Sequence, residues 1–419
     1  MLMRRIHRAW LVLAGTLAVL VLMAGFRSVV GVLLDPLREE FGWSTAAISL
    51  AASVNLMIYG LGGPFAAALY DRFGLRRCVL IAIAVVALGS ALTLQMSAQW
   101  QFVLLWGVLN GTATGAVSVT LAAVIATRWF VARRGLATGI LTAANATGQL
   151  VFLPLLAWLT SAYGWRYAVG AVVAVATVIV LPLATLLVRD RPAAVGLRAY
   201  GATEDDPPPP PRDTNPFLRA IGDGLVFAAG SKVFWQLSAT FFICGATTYG
   251  LIGTHLIPAA VDHGITEVAA AGLLATIGVF DLVGTLASGY LTDRFDPRVL
   301  LAWYYGLRGL SLLALPVVIE AHGPGLLAFV VFYGLDWVAT VPPTVAITAE
   351  VFGRERVGLV FGWIFAAHQL GGGAAAFGAG LSQTFLGTYT PAFLTAAALG
   401  LVASAISLRI RPPAGLALA

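Results

Sequence analysis

The chain has 419 residues, of which 59% are apolar and only 11% charged, with a formal net charge of +6 and a mean hydropathy of +0.89. Soluble proteins are about a quarter charged, so this composition excludes a soluble domain of useful size. A pI of 9.6 would suit a nucleic-acid binder, but the placement of the charges argues against one.

The apolar residues fall into runs of about 20 or more, the length that crosses a ~30 Å hydrocarbon core as a helix. Twelve are predicted, in chain order 9–34, 46–70, 78–97, 100–127, 135–160, 166–188, 234–258, 267–291, 299–320, 325–350, 357–383 and 389–410. Arg4, Arg5 and Arg8 give the first run the look of a signal peptide. Its apolar stretch of about 26 residues is too long for a signal core, so it is expected to be a retained span.

With the N-terminus placed inside, 21 of the 25 Lys and Arg residues fall on the cytoplasmic side. Only Arg38 and Arg166 fall outside, and Arg27 and Arg308 fall within spans. This follows the positive-inside rule, so the basic excess reports topology and both termini are expected in the cytoplasm of a plasma (inner) membrane protein. Trp10, Trp43, Trp100, Trp129, Trp165, Trp235 and Trp303 sit near predicted span ends, as interfacial anchors do. Cys78 and Cys244 lie in different halves and read as small apolar fillers, with no disulfide or metal site expected.

The longest polar stretch, 189–233, contains the run Pro207–Pro211. Five prolines favour an extended polyproline helix that joins no packed core. The chain therefore reads as an N-terminal six-helix bundle, 1–188, a cytoplasmic Pro-rich linker, 189–233, and a C-terminal six-helix bundle, 234–419. The halves resemble each other: Gly62…Asp71-Arg72-Phe73 recurs as Gly284…Asp293-Arg294-Phe295, offset by 222 residues, and Arg133-Arg134 falls opposite Glu355-Arg356. Six spans per half give both halves the same orientation, a parallel repeat, with a substrate site expected between them near the midplane.

These features resemble the major facilitator superfamily over essentially the whole length. GGPFAAALYDRFGLRR (Gly62–Arg77) is similar to that family's motif between the second and third helices. The resemblance implies that Asp71, Arg72, Arg133 and Arg134, with Asp293 and Arg294 in the second half, form a cytoplasmic gate. RWFVARRGLATGILTAANATG, AYGWRYAVGAV and PLREEFGWSTAAISL are similar to the monocarboxylate transporter group and its bacterial relatives, including oxalate/formate antiporters. Characterised members of that group carry an Asp in the eighth helix with an Arg four residues later. Here Asp281 is present and Thr285 stands at the Arg position.

Charges at bilayer depth cost a few kcal/mol unless paired or hydrated, which singles out Arg27, Asp281, Arg308 and Asp336. Arg27 lies about 25 Å along the first helix from Trp10. It is a candidate clamp for a carboxylate, or else it snorkels or pairs with an acid. Asp281 lies near mid-bilayer and is a candidate proton carrier or the fixed partner of Arg308. Arg308 is expected to face a neighbouring helix as partner of Asp281 or Asp336, or to replace the Arg absent at position 285. Tyr333 and Thr340 share a face with Asp336, and Pro342 and Pro343 should kink that helix. His368 suits proton coupling or anion binding, and its repeat mate is Asn145; by resemblance both helices line the cavity. Asn55, Tyr59, Tyr249 and Gln369 are further lining candidates.

The sequence has no HExxH, GxSxG or Gly-rich phosphate loop before a helix, so neither an enzyme nor an ATP-driven pump is expected. The two-half repeat points to alternating access and away from a channel. The expected function is secondary active transport of a small organic anion, monocarboxylate-like, with protons as the candidate coupling ion. The alternative is an efflux carrier for a neutral or amphipathic metabolite or drug. No cofactor and no nucleic acid are expected. The partners are a small-molecule substrate and the lipid bilayer, and the functional unit is a monomer.

Overall fold

The computed structural model describes residues 7–43, 45–203 and 217–411. Within the helices the side chains of a few residues, Arg27 and Asn145 among them, lie outside the described set, as does the run Pro207–Pro211.

Twelve long helices follow one another: α1 (Arg8–Phe41), α2 (Thr45–Phe73), α3 (Leu75–Thr93), α4 (Gln99–Trp129), α5 (Arg134–Tyr163), α6 (Trp165–Leu187), α7 (Lys232–Asp262), α8 (Glu267–Thr292), α9 (Pro297–Ala321), α10 (Pro324–Phe352), α11 (Val357–Leu386) and α12 (Thr390–Ser407). Ten stretches among the described residues are long and apolar enough to cross a bilayer, and α2 and α5, at 29 and 30 residues, complete the twelve. Gly74 alone joins α2 to α3, at φ 90°. A side chain there would be strained by that conformation and would also run into the Asp190 carboxylate.

Two compact units emerge: residues 1–132 with 144–223, and residues 133–143 with 224–419. The first turns of α5 thus belong with the second unit. In the first unit, α2 and α4 approach closely, Gly62 against Gly115 and Gly111 against Asn55. In the second, α9 and α12 cross at Gly309 and Gly400, and α7 meets α11 at Gly245 and Gly250. Small residues at such crossings let backbones approach, which is how helices associate where no hydrophobic force separates lipid from Leu.

Several helices are irregular. π-helical turns occur at Val103–Leu109 in α4, Val175–Val180 in α6 and Ala246–Ile252 in α7. α4 breaks after Gly115 and resumes at Val119, and α10 breaks after Asp336 and resumes at Val341. The two breaks fall at equivalent places of the 222-residue repeat. In the first, the Tyr70 hydroxyl donates to the freed Ala116 carbonyl.

The segment after α6 packs back on the first unit through Tyr200. Tyr200 N–H donates to Trp129 O, and the Tyr200 carbonyl accepts from Val131 and Ala132. Its ring packs against His7, Trp10 and Phe130. Beyond the undescribed residues, Phe217–Ala229 is a helix, not extended chain. Its Gly224 lies against Leu359, and Phe227 packs on Phe352 and under Arg356.

Candidate transport site: a buried ion pair at the break in α10

Pro342 and Pro343 have no N–H, so the carbonyls one turn earlier lose their helical donors. The chain relaxes at residues 337–340, and side chains of neighbouring helices serve the released groups. Ser288 Oγ donates to Ala339 O at 2.5 Å. The Val338 N–H donates to Asp281 Oδ1 at 3.1 Å, and the same oxygen accepts from Thr285 Oγ1 at 2.8 Å. Residues 281, 285 and 288 share one face of α8, as their spacing requires. They reach the break because Gly284 lies directly on the Leu335 carbonyl, and Gly334 lies on α8 at Ile277 and Phe280.

Arg308, from α9, fills the other side of the break. Its Nε donates to Asp336 Oδ2 at 2.6 Å. Nη2 donates to the Asp336 carbonyl at 2.5 Å and to the Trp337 carbonyl at 3.2 Å. Nη1 reaches Cys244 Sγ at 3.1 Å and Thr247 Oγ1 at 3.3 Å, and Cys244 contacts Thr340 Oγ1 at 3.2 Å. Tyr333 donates its hydroxyl to Thr247 O at 2.7 Å, inside the π-helical turn of α7. The ion pair is desolvated: the Arg308 side chain is 0% and that of Asp336 9% exposed. Asp336 Oδ1 has no hydrogen-bond partner among the described residues.

Of the two partners open to Arg308, the structure selects Asp336; Asp281 is held by Thr285 and the α10 backbone instead. Thr285 therefore serves the Asp281 carboxyl with its hydroxyl. Cys244, expected to be a filler, is part of the site. Thr247, Ser288 and Thr340 complete it. The signal for them was weak: a stripe of small polar residues along otherwise apolar helices.

His368 is buried among rings. Phe241, Phe365 and Tyr249 lie 4.9, 5.7 and 5.8 Å from it between centroids. Tyr249 in turn meets Trp337 edge-on at 5.8 Å, which links His368 to the break in α10. Gln369 Oε1 lies 3.3 Å from His368 Nδ1. Tyr249, Tyr333 and His368 thus join Asp281, Arg308 and Asp336 in one cluster. Asn55 and Tyr59 belong to the first unit. Both are buried where α2 packs on α4, and Asn55 donates to the Trp106 carbonyl in the π-helical turn at 2.8 Å. Arg27 and Asn145 lie outside the described side chains.

At the gate motif, Asp71 pairs with Arg128 at 2.5 Å, not with Arg72, which lies over Phe73. Arg133 adopts a left-handed conformation, φ 60°, at the boundary of the two units. Asp293 caps the start of α5: its Oδ1 accepts from the Gly135 N–H at 2.6 Å and Oδ2 from the Leu136 N–H at 2.8 Å. Gly135 and Gly139 pack on Gly289 there, and Arg294 stacks on Tyr290 at 3.5 Å. Charge at a helix N-terminus of this kind is favourable. Arg134 lies near Arg354 and Asp293. At the opposite end of the first unit, Glu40 accepts from Arg166 and from Trp165 Nε1. These bonds hold its carboxyl below the usual range, Arg166 foremost.

The sequence matches the family model of the Major Facilitator Superfamily over residues 16–376. It is 28% identical over 380 residues to the uncharacterized MFS-type transporter YcxA of Bacillus subtilis (strain 168), covering 89% of this chain and 88% of that one. It is 27% identical over 401 residues to monocarboxylate transporter 13 of Bos taurus, covering 95% and 88%. The fold is similar to that of the proton:xylose symporter XylE, with a TM-score of 0.74 at 16% identity and 96% of each chain covered. With twelve membrane-crossing helices in two repeated halves and a family match of this extent, the chain belongs to the major facilitator superfamily, a family of transporters and not of enzymes.

Proposed function

We propose that the protein is a secondary active carrier for a small organic anion of the monocarboxylate type, coupled to protons and working by alternating access. The observation that carries the reading is the buried Arg308–Asp336 pair with one carboxylate oxygen unpartnered. A guanidinium keeps its charge and binds carboxylates in a fork. When Asp336 takes a proton, Arg308 loses its counter-ion and becomes free to hold the substrate carboxylate. Proton and anion then enter together, and the formal charge of the site does not change. That spares the cost of adding a bare charge to a desolvated site. Asp281 and His368 are the further candidate proton carriers. Tyr249, Tyr333 and His368, with Arg27, Asn55, Tyr59 and Asn145 carried over from the sequence, make up the proposed substrate-binding set. Asp71, Arg72, Arg133, Arg134, Asp293 and Arg294 make up the gate. The relative named as a monocarboxylate transporter supports the substrate class. The charge asymmetry supports a topology with both ends of the chain cytoplasmic; a plasma (inner) membrane location and a monomer as the functional unit belong to the same proposal.

The second reading, export of a neutral or amphipathic compound, rests on the internal neutrality of the pair and the rings around His368. Uptake of labelled short monocarboxylates into proteoliposomes, with the interior at pH 7.5 and the exterior at pH 5.5 or 7.5, separates the two. Carboxylate uptake driven by the gradient and abolished by its collapse is the expected result. Thermal stabilisation by neutral or cationic compounds alone, with no carboxylate uptake, would replace the anion carrier by the exporter.

A further inference from the structure

Three arginines gather at the end of the first unit where α1 and α3 begin and α6 ends. Arg76 Nη2 and Arg189 Nη1 donate to the same acceptor, the Thr185 carbonyl, at 2.7 and 2.9 Å. Arg189 Nη1 also reaches the Val188 carbonyl at 2.8 Å. Two guanidinium groups that share one carbonyl are close enough to grip a single anion. Arg8 begins α1, which packs on the end of α6 where Gly15 lies against Leu187 and Val188, next to Arg189 in the chain.

None of the three pairs with a carboxylate among the described residues. Asp190, the adjacent acid, accepts the Arg76 backbone N–H on Oδ1 at 2.7 Å, and Arg76 Nε is buried without a hydrogen-bond partner among the described residues. Asp190 supplies one negative charge here and the C-terminal end of α6 roughly half of one more, which together leave the three cations in excess. The N-termini of α1 and α3 add partial positive charge of their own.

Below this cluster the helices present apolar side chains outward. On α6 these are Val178, Ile179 and Leu186; on α3, which packs along α6, they are Ile81, Leu88 and Leu92. Their spacing puts each set on one helical face. An apolar face that ends in a cationic cluster at the membrane surface matches one molecule, a phospholipid with its phosphate on the arginines and its acyl chains along α3 and α6.

We propose that Arg8, Arg76 and Arg189 form a binding site for the phosphate headgroup of an anionic phospholipid. The shared chemistry is a phosphate anion, and the apolar faces select the lipid over the free ion. The test is native mass spectrometry of the full-length protein in detergent. It is titrated with phosphatidylglycerol, with phosphatidylcholine of the same chains, and with inorganic phosphate, and thermal unfolding is followed in parallel. Phosphatidylglycerol should bind in preference to phosphatidylcholine. The double variant Arg76→Gln/Arg189→Gln should weaken it by about tenfold or more, while Arg411→Gln, a charge loss at the end of α12, should not. If the double variant does not fold, Arg8→Gln supplies the comparison with a smaller loss. The site is overturned by an equal loss in Arg411→Gln, by absence of any phosphatidylglycerol preference, or by inorganic phosphate stabilising the protein as well as the lipid does.

Discussion

Removing either member of the Arg308–Asp336 pair should destabilise the second unit, and the two removals should differ. Arg308→Ala deletes five hydrogen bonds, two of them to the carbonyls released at the α10 break. Breaking a buried pair from one side costs about 3–5 kcal/mol. At roughly 2–4 °C per kcal/mol for a body of about 200 residues, the melting midpoint should fall by about 6–20 °C. The Asp336 left behind can shed its charge by binding a proton. Asp336→Ala instead strands a guanidinium that cannot lose its charge, so its midpoint should fall further. The double variant Arg308→Met/Asp336→Leu buries no charge and should recover most of the loss, as apolar replacements of buried pairs do, while remaining inactive if the pair serves transport. The assay is thermal unfolding of detergent-purified protein at pH 7.5. An Arg308→Ala midpoint within 2 °C of the parent, or a double variant no more stable than the singles, would refute the reasoning.

Gly245→Val should separate α7 from α11, since even a Cβ would overlap the His368 carbonyl. The overpacking cost is about 1–3 kcal/mol, visible as a lower unfolding midpoint. Asp293→Ala removes the cap from the start of α5 and should cost about 0.5–2 kcal/mol; Asp71→Ala, which breaks only a part-exposed pair with Arg128, should cost less. Glu40 titrates below its unfolded value, so its contribution should be present above about pH 4.3 and vanish as the pH falls through the folded value. Because the pair with Arg166 is exposed, it is worth at most about 1 kcal/mol. The midpoint difference between Glu40→Gln and the parent should be small and level from pH 7 to 5, and close below that. A difference that grows on acidification would contradict the assignment.

The sequence by itself determined the elements that depend on local composition. Run lengths and hydropathy located twelve membrane-crossing helices, because a bilayer demands about 20 apolar residues per crossing. Pro342 and Pro343 announced the break in α10, because a missing N–H is a local fact. What only the tertiary structure decided was which groups meet there. Asp281 and Asp336 were equally open to Arg308, since each lies near the middle of its own helix and periodicity says nothing about rotation against a neighbour. The close approach of α8 to α10 at Gly284 and Gly334 turns Asp281 onto the Val338 N–H and leaves Asp336 to Arg308. Cys244 acquired its place the same way: nothing in its neighbours along the chain marks it, and it matters because α9 brings a guanidinium to 3.1 Å from its sulfur. Asp71 and Asp293 are alike in sequence yet do different things, one holding a side chain and the other a helix end. The repeat preserved the residue, and packing chose its partner.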